Sequence, residues 1–152
     1  MKRTTVIETI VFLYAILFLY TGISKLIEYR VFYEQLAESP VLAPVAPVIA
    51  AALPWIEFLV MVLLIVPRWR LKGLYAGLGM MTAFTIYIIA LLSFSDKLPC
   101  SCGGVIAALS WPQHIVFNSA FIAIAIVGII LQNRQKKDHQ KTWNATIQNY
   151  SI

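Results

Sequence analysis

Four apolar stretches, each long enough to cross a bilayer as a helix, constrain this chain more than any other feature. A hydrocarbon core of about 30 Å needs roughly 20 mostly apolar residues at about 1.5 Å of rise each. Residues 5–27, 44–66, 72–94 and 113–131 meet that requirement, and the run from Gly73 to Ser95 carries no charge. Apolar residues occupy all faces of each stretch, as lipid-exposed helices require. Of the 152 residues, 60% are hydrophobic and 12% charged, against about 25% charged in an ordinary globular domain. That balance excludes a disordered chain, a nucleic-acid-binding module and a typical soluble enzyme. The first stretch follows Lys2 and Arg3, as a signal peptide would. Its length, the lack of a small-residue cleavage pattern and the three stretches behind it argue against that reading. The expectation is an all-α integral membrane protein, an antiparallel bundle of four transmembrane helices over residues 1–131, with a polar cytoplasmic tail over 132–152.

Lys and Arg placement sets the expected orientation. With both termini in the cytoplasm, nine of the 12 Lys and Arg residues fall inside, and only Lys25, Arg30 and Lys97 fall outside. The net charge of +5 therefore reads as topology in a bacterial inner membrane, with the lipid bilayer as partner and no nucleic acid. The Asn144-Ala-Thr146 and Asn149-Tyr-Ser151 glycosylation patterns then lie on the cytoplasmic side and read as chance. The first outer loop, from Ile27 to Leu42, mixes charges with Tyr29, Phe32, Tyr33 and Leu36. This predicts a short amphipathic helix at the interface, ended by Ser39-Pro40. Pro54 interrupts the hydrogen bonding of the second span.

The second outer loop carries the chemistry. It reads Pro99-Cys100-Ser101-Cys102-Gly103-Gly104, and Ser110-Trp111-Pro112-Gln113-His114 opens the fourth helix with capping-box spacing from Ser110 to Gln113. Outside the cytoplasm thiols meet an oxidising environment. Two cysteines one residue apart close only a tight bridge, which is exchange-prone. Gly103 and Gly104 allow a partner chain to approach closely. A helix N-terminus favours thiolate, and His114 can tune a thiol or shuttle a proton. Other readings of the same residues are an inert bridge or idle thiols, and a Cys-x-Cys plus His site for a soft metal such as Cu(I).

Charges inside spans are functional candidates by default. Glu57 sits within the second span, three residues after Pro54. It reads as a proton-handling or carbonyl-binding group, or as a structural residue bonded to Tyr14, Tyr20 or Tyr87. Lys25, near the outer end of the first span, is expected to snorkel to the surface, with Glu28 or a thiolate as alternative partners. Asn118 lies one turn from His114 on the same helix face. Together they line a polar pocket beneath the cysteines or bond between helices. Gly73 and Gly77 form a small-xxx-small pair, which favours close helix packing.

Gly22-x-x-Lys25-Leu26 closing the first span, Pro54-x-x-Glu57 in the second, and Pro99-Cys-Ser-Cys-Gly-Gly104 ahead of Ser-Trp-x-Gln-His resemble the MauE/DoxX-like family of four-helix inner-membrane proteins. The likeness covers about residues 5–131 and is nearest to versions common in the Bacteroidetes. It implies a role in disulfide formation alongside a periplasmic thioredoxin-like partner. By analogy the layout is also similar to vitamin K epoxide reductase and DsbB, four-helix bundles with outer-face cysteines above a quinone pocket. Unlike those proteins, this chain has Cys-x-Cys and no second cysteine pair. The resulting expectation is a thiol–disulfide redox protein in which Cys100, Cys102 and His114 act, supported by Lys25, Glu57, Gln113 and Asn118, with quinone as a candidate electron acceptor. The alternatives are a non-catalytic or assembly subunit of a larger membrane complex, and copper handling on the periplasmic side.

Overall fold

The computed structural model describes residues 3–94 and 111–150, so the Cys100 and Cys102 loop lies outside the described residues. All regular structure among the described residues is helical: α1 (Arg3–Ile27), α2 (Tyr29–Glu38), a 3-10 turn (Ala43–Val45), α3 (Ala46–Ile65), α4 (Arg70–Phe94) and α5 (Trp111–Tyr150). Four of these helices, α1, α3, α4 and α5, are long and apolar enough to cross a membrane. The chain is thus an all-α membrane protein.

Backbone chemistry explains where the helices stop. Ser39 ends α2 in an extended conformation, φ −72° and ψ 125°, which a residue ahead of proline favours. Its carbonyl then accepts from the Ala43 N–H at 3.0 Å, and its hydroxyl from the Leu42 N–H at 3.4 Å. Val66 ends α3 in the same way ahead of Pro67, with ψ 114°. Pro47 occupies the first turn of α3, where a missing N–H costs nothing. Pro54 sits inside α3 and is fully buried. Its ring leaves the carbonyl four residues earlier without a helical donor.

The spanning helices form a ring in chain order. α1 packs on α3 and α5, and α4 packs on the same two, while α1 and α4 face each other across the middle and meet closely at Gly77. Consecutive helices are therefore antiparallel neighbours. One end of the bundle, the Arg3 end, joins Arg3 of α1 to Asp138 of α5 at 3.0 Å and Gln135 to Thr4 at 3.4 Å. The other, the Lys25 end, carries α2, whose Phe32 and Leu36 are buried against Ala46 and Ala50 of α3. α5 runs unbroken past Leu131, where its apolar stretch stops, to Tyr150.

The shared core is built from Ile7, Ile10, Val11, Tyr14 and Phe18 of α1 with Val60, Leu64, Leu74, Met81, Ala125 and Ile129. Lipid tails are as apolar as this core. Close packing and interhelical hydrogen bonds must therefore supply the cohesion. Tyr14 shows both: its ring stands edge-on to Phe121, centroids 5.3 Å apart, and its hydroxyl donates to the Phe121 carbonyl. Glycines set the closeness. A Cβ on Gly77 would stand 3.1 Å from the Tyr14 ring, and one on Gly73 would stand 2.7 Å from the Leu64 backbone nitrogen. The expected small-residue pair is indeed a packing device, joining α4 to both α1 and α3.

Gly79, two residues on from Gly77, faces open space. Gly73→Ala should therefore lower unfolding free energy by about 1–3 kcal/mol through backbone overlap. Gly79→Ala should raise it by up to about 1 kcal/mol through helix propensity. Denaturant titration of the two variants in mixed micelles checks the contrast in sign.

Candidate functional site

α1 and α3 meet closely near the Lys25 end because Gly22 has no side chain. The Phe58 ring of α3 fills that space, 2.9 Å from where a Cβ would be. One turn further along α1 is Lys25, and beside Phe58 on α3 is Glu57. Lys25 Nζ stands 2.7 Å from Glu57 Oε1. The Lys25 side chain is 13% exposed and that of Glu57 1%. This is a buried ion pair within the spanning part of the bundle.

The direction of the Lys25 side chain corrects the sequence expectation. The ammonium does not snorkel outward and does not pair with Glu28. It turns back along its own helix and donates to the Thr21 carbonyl at 3.5 Å. Helical side chains lean toward the helix N-terminus, and for Lys25 that direction leads into the bundle. The partner of Glu57 among the described residues is Lys25, where the sequence pointed to a tyrosine. Tyr14 is committed to the Phe121 carbonyl, and the lysine occupies the carboxylate. Aromatic rings complete the surroundings: Phe32 of α2 and Phe84 of α4 each have a centroid 5.7 Å from Lys25 Nζ. At that distance each ring face attracts the cation. Four elements thus converge on one ammonium.

Thr21 of α1 stands beside Glu57 as well as Lys25. Glu57 Oε2 is buried and makes no hydrogen bond among the described residues. An ionised carboxylate accepts through both oxygens, so one acceptor face is open to a donor inside the bundle.

His114 and Asn118, one turn apart on α5, are both buried. Their height follows from the Tyr14–Phe121 contact. Seven residues from Tyr14 toward the Lys25 end is Thr21, and seven residues from Phe121 toward the same end is His114. At equal helical rise both lie about 10 Å above that contact. His114 therefore sits at the level of the ion pair, on the inward face of a helix that packs against α1. Gln113, its neighbour, is exposed. Cys100 and Cys102 lie outside the described residues, as do Ser110 and the capping box it would form with Gln113. The helices that flank the cysteine segment, α4 ending at Phe94 and α5 starting at Trp111, meet it at the Lys25 end.

Chemically, the arrangement is a fixed cation and anion in a medium of low dielectric, with a histidine and an amide at about the same depth. It can hold a polar ligand or pass a proton. It also locks α1, α2 and α3 together. Removing one partner strands a buried charge, which costs about 3–5 kcal/mol, whereas replacing both by apolar groups is far cheaper. Lys25→Met should therefore destabilise the protein strongly, and adding Glu57→Leu should recover most of the loss. Unfolding free energies of the wild type, the two single variants and the double variant check this. Additive losses would mean that the two side chains do not act as a pair.

A family model described as methylamine utilisation protein MauE matches residues 3–131. Comparison with curated proteins yields no match. Comparison with solved structures yields none either. The matched range takes in every spanning part of the bundle, the ion pair and the cysteine segment. The chain is a multi-pass membrane protein and belongs to the methylamine utilisation MauE family.

Proposed function

We propose that this protein is a thiol–disulfide redox protein of the bacterial inner membrane, with both termini in the cytoplasm and the Lys25 end facing the periplasm. The nine-to-three bias of Lys and Arg supports that orientation. The observation that carries the reading is one of topology. The segment with Cys100 and Cys102 joins two helix ends at the same end of the bundle as the buried Lys25–Glu57 pair and His114. Exchangeable sulfur and proton-handling groups thus belong to one end.

The exchange balances. A partner disulfide, in a periplasmic thioredoxin-like protein, is attacked by one thiolate of the pair, giving a mixed disulfide. The second thiolate then displaces the partner. One S–S bond forms between Cys100 and Cys102 as one breaks in the partner, and two electrons and two protons leave with it. Run in the other direction, the bridge oxidises two partner thiols to a disulfide and becomes a dithiol itself; a quinone, if bound at that end, would supply the two-electron, two-proton oxidation that restores the bridge. In this reading His114, buried at the same end of the bundle, carries the thiol proton, and Glu57, held by Lys25, accepts a donor from the same space.

A Cys102→Ser variant should accumulate a mixed disulfide with its partner, released by dithiothreitol, because the resolving thiol is gone. Non-reducing electrophoresis of membranes, followed by mass spectrometry of the adduct, reads it. If neither Cys100→Ser nor Cys102→Ser forms an adduct, and the double variant supports growth and complex formation as the wild type does, the redox reading fails. A packing role in a larger complex then remains.

A further inference from the structure

The Arg3 end has unsatisfied groups of its own, far from the ion pair. Arg70 opens α4, and its Nε is buried without a hydrogen-bond partner among the described residues. Gln132 of α5 is 9% exposed, and its Oε1 is also buried without a partner. The register of the two antiparallel helices brings them to one depth. A Cβ on Gly128 would stand 3.5 Å from Leu74 Cδ2. One turn on from Gly128 is Gln132, and one turn back from Leu74 is Arg70. Both mark the depth at which apolar sequence gives way to polar: α5 turns polar at Gln132, and α4 is free of charge from Gly73 onward. That depth is the headgroup region of a bilayer. The exposed side chains of Lys72 and Arg134 add positive charge there, and the positive end of the α4 dipole adds to it. Exposed Tyr75 and Val127 lie on the apolar side of the same two helices, where acyl chains run.

We propose that Arg70 and Gln132 form a binding site for one anionic phospholipid headgroup that carries both a phosphate and a hydroxyl, in the leaflet at the Arg3 end. The Arg70 Nε–H donates to a phosphate oxygen, and a headgroup hydroxyl, as in phosphatidylglycerol, donates to Gln132 Oε1. A guanidinium suits this role because it offers a directional donor from within the helix interface, where a lysine offers only charge at its tip. Lipid rather than free phosphate is the expected occupant because the two groups stand at the membrane boundary beside exposed apolar surface.

The test uses full-length protein, delipidated in a neutral detergent, with phosphatidylglycerol, phosphatidylcholine or inorganic phosphate added. Native mass spectrometry should show one phosphatidylglycerol retained per chain, and thermal unfolding should shift upward with that lipid but not with the other two. Arg70→Lys keeps the charge and should weaken phosphatidylglycerol binding about tenfold, the worth of one charge-assisted hydrogen bond. Gln132→Leu should weaken it about fivefold while leaving the lipid-free protein at least as stable, since it removes a buried orphan acceptor. Lys141→Gln, further along α5, should change binding less than about twofold. Unchanged binding in Arg70→Lys would reduce the effect to bulk charge attraction and overturn the site. Equal stabilisation by phosphatidylcholine would point to apolar filling, and equal stabilisation by inorganic phosphate to a soluble-anion site; either result also overturns it.

Discussion

A lysine and a glutamate held together inside a helical bundle in lipid are the constraint on which one end of this protein depends. Neither charge is tolerable there alone. Their pairing at 2.7 Å fixes the height of α1 against α3 and draws Phe32 of α2 and Phe84 of α4 over the ammonium. The hydrophobic effect cannot do this, since lipid solvates apolar helices as well as they solvate one another. In the half of the bundle nearer Arg3, glycine contacts and the Tyr14 hydroxyl hold the helices together. In the half nearer Lys25 the ion pair does so. Among the described residues its second carboxylate oxygen makes no hydrogen bond.

The architecture was legible in the sequence because it rests on hydrophobic length, which a helix spanning a bilayer cannot evade. Four apolar stretches were expected, and four helices are long and apolar enough to cross a membrane; the last, expected over 113–131, runs on as α5 to Tyr150. The short helix after the first span was legible for a similar reason: Phe32 and Leu36 share a face, and Ser39-Pro40 stops the helix. The glycine pair of α4 was also read correctly as packing. What could not be read was the partner of Glu57. Lys25 and Glu57 lie on consecutive antiparallel helices, where opposite charges invite pairing. Yet α2 and the 3-10 turn stand between them and absorb an unknown amount of the chain's rise, so counting residues does not give the register. The general habit of lysines near span ends to reach outward pointed the wrong way as well. The backbone direction of α1, which aims Lys25 inward, was the signal available.

The polar groups are divided between the two ends with different consequences. At the Lys25 end, Glu57, His114 and Asn118 are buried among helices. At the Arg3 end most charges are exposed on helix termini and on the extension of α5, where they answer to headgroups and to the membrane's preference for positive charge on one side. The chain belongs to the methylamine utilisation MauE family. The chemistry proposed for it rests on the sulfur pair carried between α4 and α5.

The account is tested most directly by asking which side of the membrane reaches Cys100 and Cys102. Intact cells are treated with a maleimide that does not cross membranes, before and after mild reduction. The account predicts little labelling before reduction and two labelled thiols after it, with no need to open the cell. Labelling that appears only once the membrane is permeabilised would place the sulfurs on the wrong side. Thiols that stay unlabelled under every condition would show them closed to any partner, and either result contradicts the proposed exchange.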